Sequence, residues 1–80
     1  MILKPVTSEK AVKMIELDNT ILFITERKAK KPEIKKEVES VFNVKVDKVR
    51  TFMRNNQKHA YVKLIKSNPA IDIATKLGMI

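Results

Sequence analysis

Cysteine is absent from the 80 residues, which excludes a disulfide framework, a thiol nucleophile, and thiolate sites for zinc or iron–sulfur clusters. Glycine occurs once, at Gly78, so no glycine-rich loop is available to cradle a phosphate. Histidine also occurs once: His59 is the one side chain whose ordinary titration lies near neutral pH, and it sits in a basic stretch. No apolar run is long enough to span a membrane, and Met1-Ile2-Leu3-Lys4 gives way to Pro5 and charged residues before a signal-peptide core develops. A cytosolic protein without metal or cofactor is expected.

Linkers are missing as well. The three prolines fall in the N-terminal segment or at predicted element starts, and there is no repeat or low-complexity tract. One domain spanning residues 1–80 is therefore expected. A chain of this size buries only about 60% of the surface it exposes when unfolded, and disulfides and metals are not available to compensate. A partner is the remaining route.

What the chain has in excess is positive charge. Seventeen Lys and Arg against nine Asp and Glu leave +8 at neutral pH and a pI near 9.9, which points to a polyanionic partner. The surplus is concentrated. Residues 27–36 carry six bases (Arg27, Lys28, Lys30, Lys31, Lys35, Lys36) against Glu33, a net of +5; residues 50–66 carry Arg50, Arg54, Lys58, Lys63 and Lys66 with no acid, again +5. Such clusters neutralise phosphates and release counterions, so nucleic-acid binding that weakens steeply with salt is expected. Each lysine taken alone is equally explained as a solvated surface group.

Three helical and three extended segments interleave. Ala11, Met14 and Ile15 share a helical face from Ser8 to about Glu16, with Thr7 or Ser8 as N-cap. Residues 19–25 are β-branched and aromatic at consecutive positions, predicting a central strand covered on both faces. Pro32–Phe42 reads as a helix started by Pro32, with Ile34, Val38, Val41 and Phe42 as its apolar stripe. Val44–Met53 alternates with a parity slip near Asp47 and Lys48, as one extra residue at a β-bulge or a bend would produce. The turn Asn55-Asn56-Gln57 leads into Lys58–Ile65, where Ala60, Val62 and Leu64 share one face. Asn68 is the expected cap of a last helix started by Pro69, with Ala70, Ile73, Ala74 and Leu77 buried and Gly78 at the left-handed C′ position. The sum is an α+β fold, an α/β sandwich with helices packed on a small, mainly antiparallel sheet in the order α-β-α-β-β-α.

On the hairpin, Arg50, Phe52 and Arg54 share one strand face, and Tyr61 and Lys63 share a face of the next strand. Aromatic rings among arginines offer bases a stacking platform. The same rings serve as cover for the sheet's second face, the reading preferred for Phe52; for Tyr61 both readings stay open. Glu33, Glu37 and Glu39 fall on a predicted surface helix beside lysines, where ion pairing is their ordinary use, so no catalytic residue is assigned and no enzyme is expected.

Four strings in register, KPVTSEKA, KKPEIKKEVESVFNVKV, VRT and KHAYVKL, resemble the protein twenty-three family of the large ribosomal subunit across nearly the whole chain. The resemblance implies binding of large-subunit ribosomal RNA beside the exit of the peptide tunnel, next to ribosomal protein twenty-nine, and a docking surface for nascent-chain factors such as the signal recognition particle. It implies that Lys4, Ser8 and Lys10, with the loop Arg27 to Lys31, lie against RNA, and that Glu9 matches the acidic position offered to docking factors. As a first-turn glutamate, Glu9 also suits the helix dipole. Only Phe52 to Gln57 separates VRT from KHAYVKL, where bacterial relatives insert a long hairpin, so a tunnel-lining role is not expected. The eukaryotic N-terminal basic extension is missing too, which makes the archaeal type the expectation.

Two alternatives remain: a free-standing module akin to the RNA-recognition motif, and a small basic chromatin protein that coats DNA. The first requires the order β-α-β-β-α-β, which the predicted elements do not follow. The second predicts equal affinity for duplex DNA and ribosomal RNA.

Overall fold

A computed structural model describes residues 3–79. The elements in chain order are β1 (Lys4–Pro5), α1 (Glu9–Asp18), β2 (Thr20–Thr25), α2 (Lys31–Phe42), β3 (Val46–Arg54), β4 (Gln57–Leu64) and α3 (Ala70–Lys76). The four strands form one antiparallel sheet in the order β1-β2-β4-β3. The fold is α+β, and the predicted order holds with one addition. β1 is a two-residue edge strand ahead of α1, pairing Lys4 with Ile24 and Pro5 with Phe23. A proline cannot donate to a ladder and is tolerated at an edge, which is where Pro5 lies.

Local chemistry sets the element ends. Ser8 is extended, and its Oγ accepts from the Ala11 amide at 3.2 Å, closing the first turn of α1. Asn19, Asn43, Asn55 and Asn56 all have positive φ; the first two end α1 and α2. Asn55 and Asn56 (φ 52° and 62°) form the two-residue turn between β3 and β4, where positive φ at both positions matches the strands' twist. α3 ends in a Schellman motif: Gly78 (φ 73°) donates to the Thr75 carbonyl at 3.1 Å and Met79 to the Ala74 carbonyl at 2.9 Å.

The expected cap of α3 is misplaced by the local reading. Asn68 Oδ1 accepts instead from the Lys45 amide at 2.8 Å, and the Ala70 amide at the start of α3 donates to Asn19 Oδ1 at 2.6 Å. Asn19 Nδ2 also donates to the carbonyls of Leu64, Ile65 and Asn68, each at 3.1 Å. One side chain thus ties the end of α1 to the end of β4 and the start of α3. Glu39 differs in the same way: its Oε2 accepts from the Val46 amide at 3.0 Å, so it serves the backbone entering β3.

Every helix contributes to one hydrophobic cluster. Ile15 of α1, Ile34 and Val38 of α2, and Ile73 and Ala74 of α3 meet Ile21, Phe23, Ala60, Val62 and Leu64 from one face of the sheet. Phe42 stacks on Phe23 with ring centroids 6.0 Å apart. Because Phe42 takes that contact at the last turn, Val41, expected in the buried stripe, is 61% exposed. β2 is central as expected, but only its inner face is sealed; Leu22 and Ile24 on the outer face are half-buried. The parity slip in β3 is a real irregularity. The register with β4 shifts between Val46 and Lys48, leaving Asp47 as the extra residue.

Candidate nucleic-acid interface

α2 and α3 serve the inner face, and α1 sends Ile15 to that core but borders the outer face with Ser8, Lys10, Ala11 and Met14; on the outer face the strand register assembles polar and aromatic side chains. Arg50 lies opposite Tyr61, Phe52 opposite His59, and Lys48 opposite Lys63, while Leu22, Ile24 and Lys4 continue the same rows across β2 and β1. No acid occupies these outward strand positions. Phe52 stacks on His59 (centroids 4.8 Å, planes 15° apart) and on Tyr61 (5.2 Å, 27°), and the Arg50 guanidinium lies 5.4 Å from the Tyr61 ring centre. A cation over a ring face and offset-stacked rings each stabilise the arrangement by about 0.5–1 kcal/mol. The cluster is therefore set in place by its own contacts.

Two hollows open on this face. One, of about 270 Å³, is lined by Asp18, Thr20, Lys48, Arg50, Tyr61 and Lys63. The other, of about 250 Å³, lies between the aromatic rings and the start of α1, where Ser8, Lys10, Ala11 and Met14 face Leu22, Phe52, Arg54, His59 and Tyr61. The expected residues Ser8, Lys10, Arg50, Arg54 and Lys63 thus line one hollow or the other, and Lys4 is exposed on the same face.

The basic loop after β2 forms a second region. Ala29 is buried at 3% exposure and pins the loop from within, while Arg27, Lys28, Lys30 and Lys31 are exposed around it, with Lys35 exposed on the next turn of α2. Thr25, the last residue of β2, pairs with Lys58 near the start of β4, so this loop and the Asn55–Asn56 turn lie at the same end of the sheet. Arg54 and Lys58 of the second charge cluster meet the basic loop there, while Lys63, opposite Thr20, lies toward the other end of the sheet. Lys58 stands apart from the other expected residues. It shares the inner face with Thr25 and Met53, and its Nζ donates to the Ala29 carbonyl at 2.6 Å, bracing the loop from beneath.

Glu9 is 88% exposed in the first turn of α1, with Lys13 Nζ at 4.0 Å. An exposed i,i+4 pair at that distance stabilises by a few tenths of a kcal/mol at most. Its carboxylate remains open to solvent and to a partner.

Lys48, His59, Met14 and Leu22 belong to this surface and were not singled out as site residues in the sequence reading. Lys48 was legible once the bulge is set at Asp47, since Lys48, Arg50, Phe52 and Arg54 then alternate onto one face. His59 shares the parity of Tyr61. Leu22 and Met14 had no local signal, because their place depends on how β2 and α1 meet the hairpin.

Among the described residues no helix is long and apolar enough to cross a membrane, and no group of three His, Asp or Glu side chains is gathered to hold a metal ion. The chain is similar to known proteins over its whole length. The family model described as Ribosomal protein L23 matches residues 1–71. The Large ribosomal subunit protein uL23 of Pyrobaculum aerophilum is 44% identical over 81 aligned positions, covering 100% of both chains. A basic face, a short antiparallel sheet and this full-length match converge on one assignment: the chain belongs to the ribosomal protein L23 family.

Proposed function

We propose that this protein is a non-enzymatic structural constituent of the large ribosomal subunit that binds large-subunit ribosomal RNA. The observation that carries the reading is the outer sheet face, with stacked rings among Lys4, Arg50, Arg54 and Lys63, where bases outnumber the acids Asp18 and Asp47 near Lys63. The loop Arg27 to Lys31, with Lys35, supplies a second set of phosphate contacts at the end of the same sheet. Ser8 and Lys10 bring the start of α1 against the RNA. Lys58 acts mainly by holding the loop in shape, through its bond to Ala29. Phosphate contacts fix position, and the folded RNA is recognised by its shape.

Family membership supports the finer placement: the ribosome of the cytoplasm, beside the exit of the peptide tunnel, next to ribosomal protein twenty-nine. There Glu9 is the residue offered to nascent-chain factors such as the signal recognition particle. The β3–β4 hairpin closes in two residues, so it does not reach into a tunnel wall.

The test is a salt-titrated binding assay of the purified chain against large-subunit ribosomal RNA, with duplex DNA of similar charge as competitor. RNA should resist competition, and replacing Lys28, Lys30 and Lys31 by Ala should reduce the slope of log affinity against log salt by about two to three. An unchanged slope removes the loop from the interface. Equal competition by DNA supports a general polyanion binder of the chromatin kind.

A further inference from the structure

Tyr61 lines both hollows of the outer face, and the two differ in chemistry. In one, Lys48, Arg50 and Lys63 outnumber Asp18 three to one. In the other, Met14, Leu22, Phe52 and His59 present apolar and aromatic surface beside Lys10 and Arg54, and no acid lines the space. Each hollow, at about 270 and 250 Å³, lies below the roughly 300–1,000 Å³ of pockets that enclose drug-sized ligands. Each therefore suits one small group, and the pair suits a ligand with a flat ring at one end and an anion at the other.

A nucleotide has that division. We infer that the outer face holds a single unpaired RNA nucleotide astride Tyr61, its base in the hollow lined by Phe52 and His59 and its phosphate among Lys48, Arg50 and Lys63. This rests on the RNA-binding reading above and adds to it a base contact, where that reading needs only phosphates and shape. The base must be unpaired and unstacked, because a base inside a helix has both faces covered by its neighbours. Stacking on aromatic side chains tolerates any base, since every base has a π-face. The rings are ordered before RNA arrives, through the Phe52–His59 and Phe52–Tyr61 stacks and the Arg50 cation over Tyr61. Little conformational freedom is left to lose on binding.

The test uses the full chain and large-subunit ribosomal RNA. Ultraviolet crosslinking of the wild-type complex should join one nucleotide to the peptide bearing His59 and Tyr61 or to that bearing Phe52. Phe52→Leu keeps apolar volume but removes the ring; it should weaken binding about tenfold with the salt slope unchanged. Arg50→Gln with Lys63→Gln should instead lower the slope by about two. Thermal melts establish that each variant is folded, and the wild-type crosslink carries the test for any that is not. Salt-dependent binding with crosslinks confined to the Arg27–Lys31 loop and undiminished affinity in Phe52→Leu would overturn the nucleotide site and leave the RNA-binding reading intact. Failure of the wild-type chain to bind the RNA would overturn both.

Discussion

Replacing Asn19 by Ala tests how far the fold depends on one side chain. Its Oδ1 accepts from Ala70, and its two Nδ2 hydrogens are shared among three carbonyls, so Asn19→Ala removes the equivalent of three hydrogen bonds. At about 1 kcal/mol each, net of water, that is about 3 kcal/mol. Asn19 also sits at φ 52°, where an alanine Cβ adds about 1 kcal/mol of strain. The predicted loss is about 3–4 kcal/mol, against a total stability of about 4–12 kcal/mol for a chain this size. In urea, with a slope of about 1.5 kcal/mol per molar, the midpoint should fall by about 2–2.5 M. Asn19→Gly loses the same hydrogen bonds without the strain and should lie about 1 kcal/mol above the alanine variant. A midpoint for Asn19→Ala within 0.5 M of wild type, on the order of 1 kcal/mol, would show that Asn19 does not hold α1, β4 and α3 together. A glycine variant less stable than the alanine one would show that the positive φ adds no strain to the alanine.

Other substitutions separate bracing from binding. Asn56→Ala should cost about 1 kcal/mol in a thermal or urea melt because φ is 62° there, whereas Asn56→Gly should cost nothing measurable. Lys58→Met should lower stability by about 1–2 kcal/mol through loss of the bond to Ala29, yet leave the salt slope of RNA binding within about half a unit of wild type. Glu9→Lys should slow association of docking factors with assembled subunits several-fold while assembly proceeds, as read by gradient profiles and association kinetics; lost assembly would show that this position faces RNA.

Where periodicity and local chemistry decide the structure, the sequence was sufficient. The stripe Ile34–Val38–Phe42, the turn at Asn55–Asn56 and the left-handed Gly78 each carry their own signature within a few residues, and the parity slip near Asp47 is visible too, although a bend fits it as well as the bulge the register shows. The failures share another cause. Asn68 and Asn19 have the same side chain, and only the meeting of α1, β4 and α3 determines which of them reaches Ala70. β1 is two residues long and contains a proline, so nothing local marks it as a strand. At the candidate interface the basic clusters were visible as composition, but Lys58 pointing inward and Lys48 pointing outward follow from strand register. The two hollows required that register together with the position of α1.

The position of β3 at the end of the sheet has a consequence for the chain before it meets RNA. A nine-residue terminal strand is a template on which a second copy can add its own strand. Here the bulge at Asp47 breaks the strand's regular ladder, and Glu39 occupies the Val46 amide that an incoming strand would need. Lys48, Arg50 and Arg54 follow along the same strand, so two copies aligned edge to edge would bring like charges together. The residues proposed to attract RNA therefore also keep unassembled copies apart, and that protection weakens as salt rises.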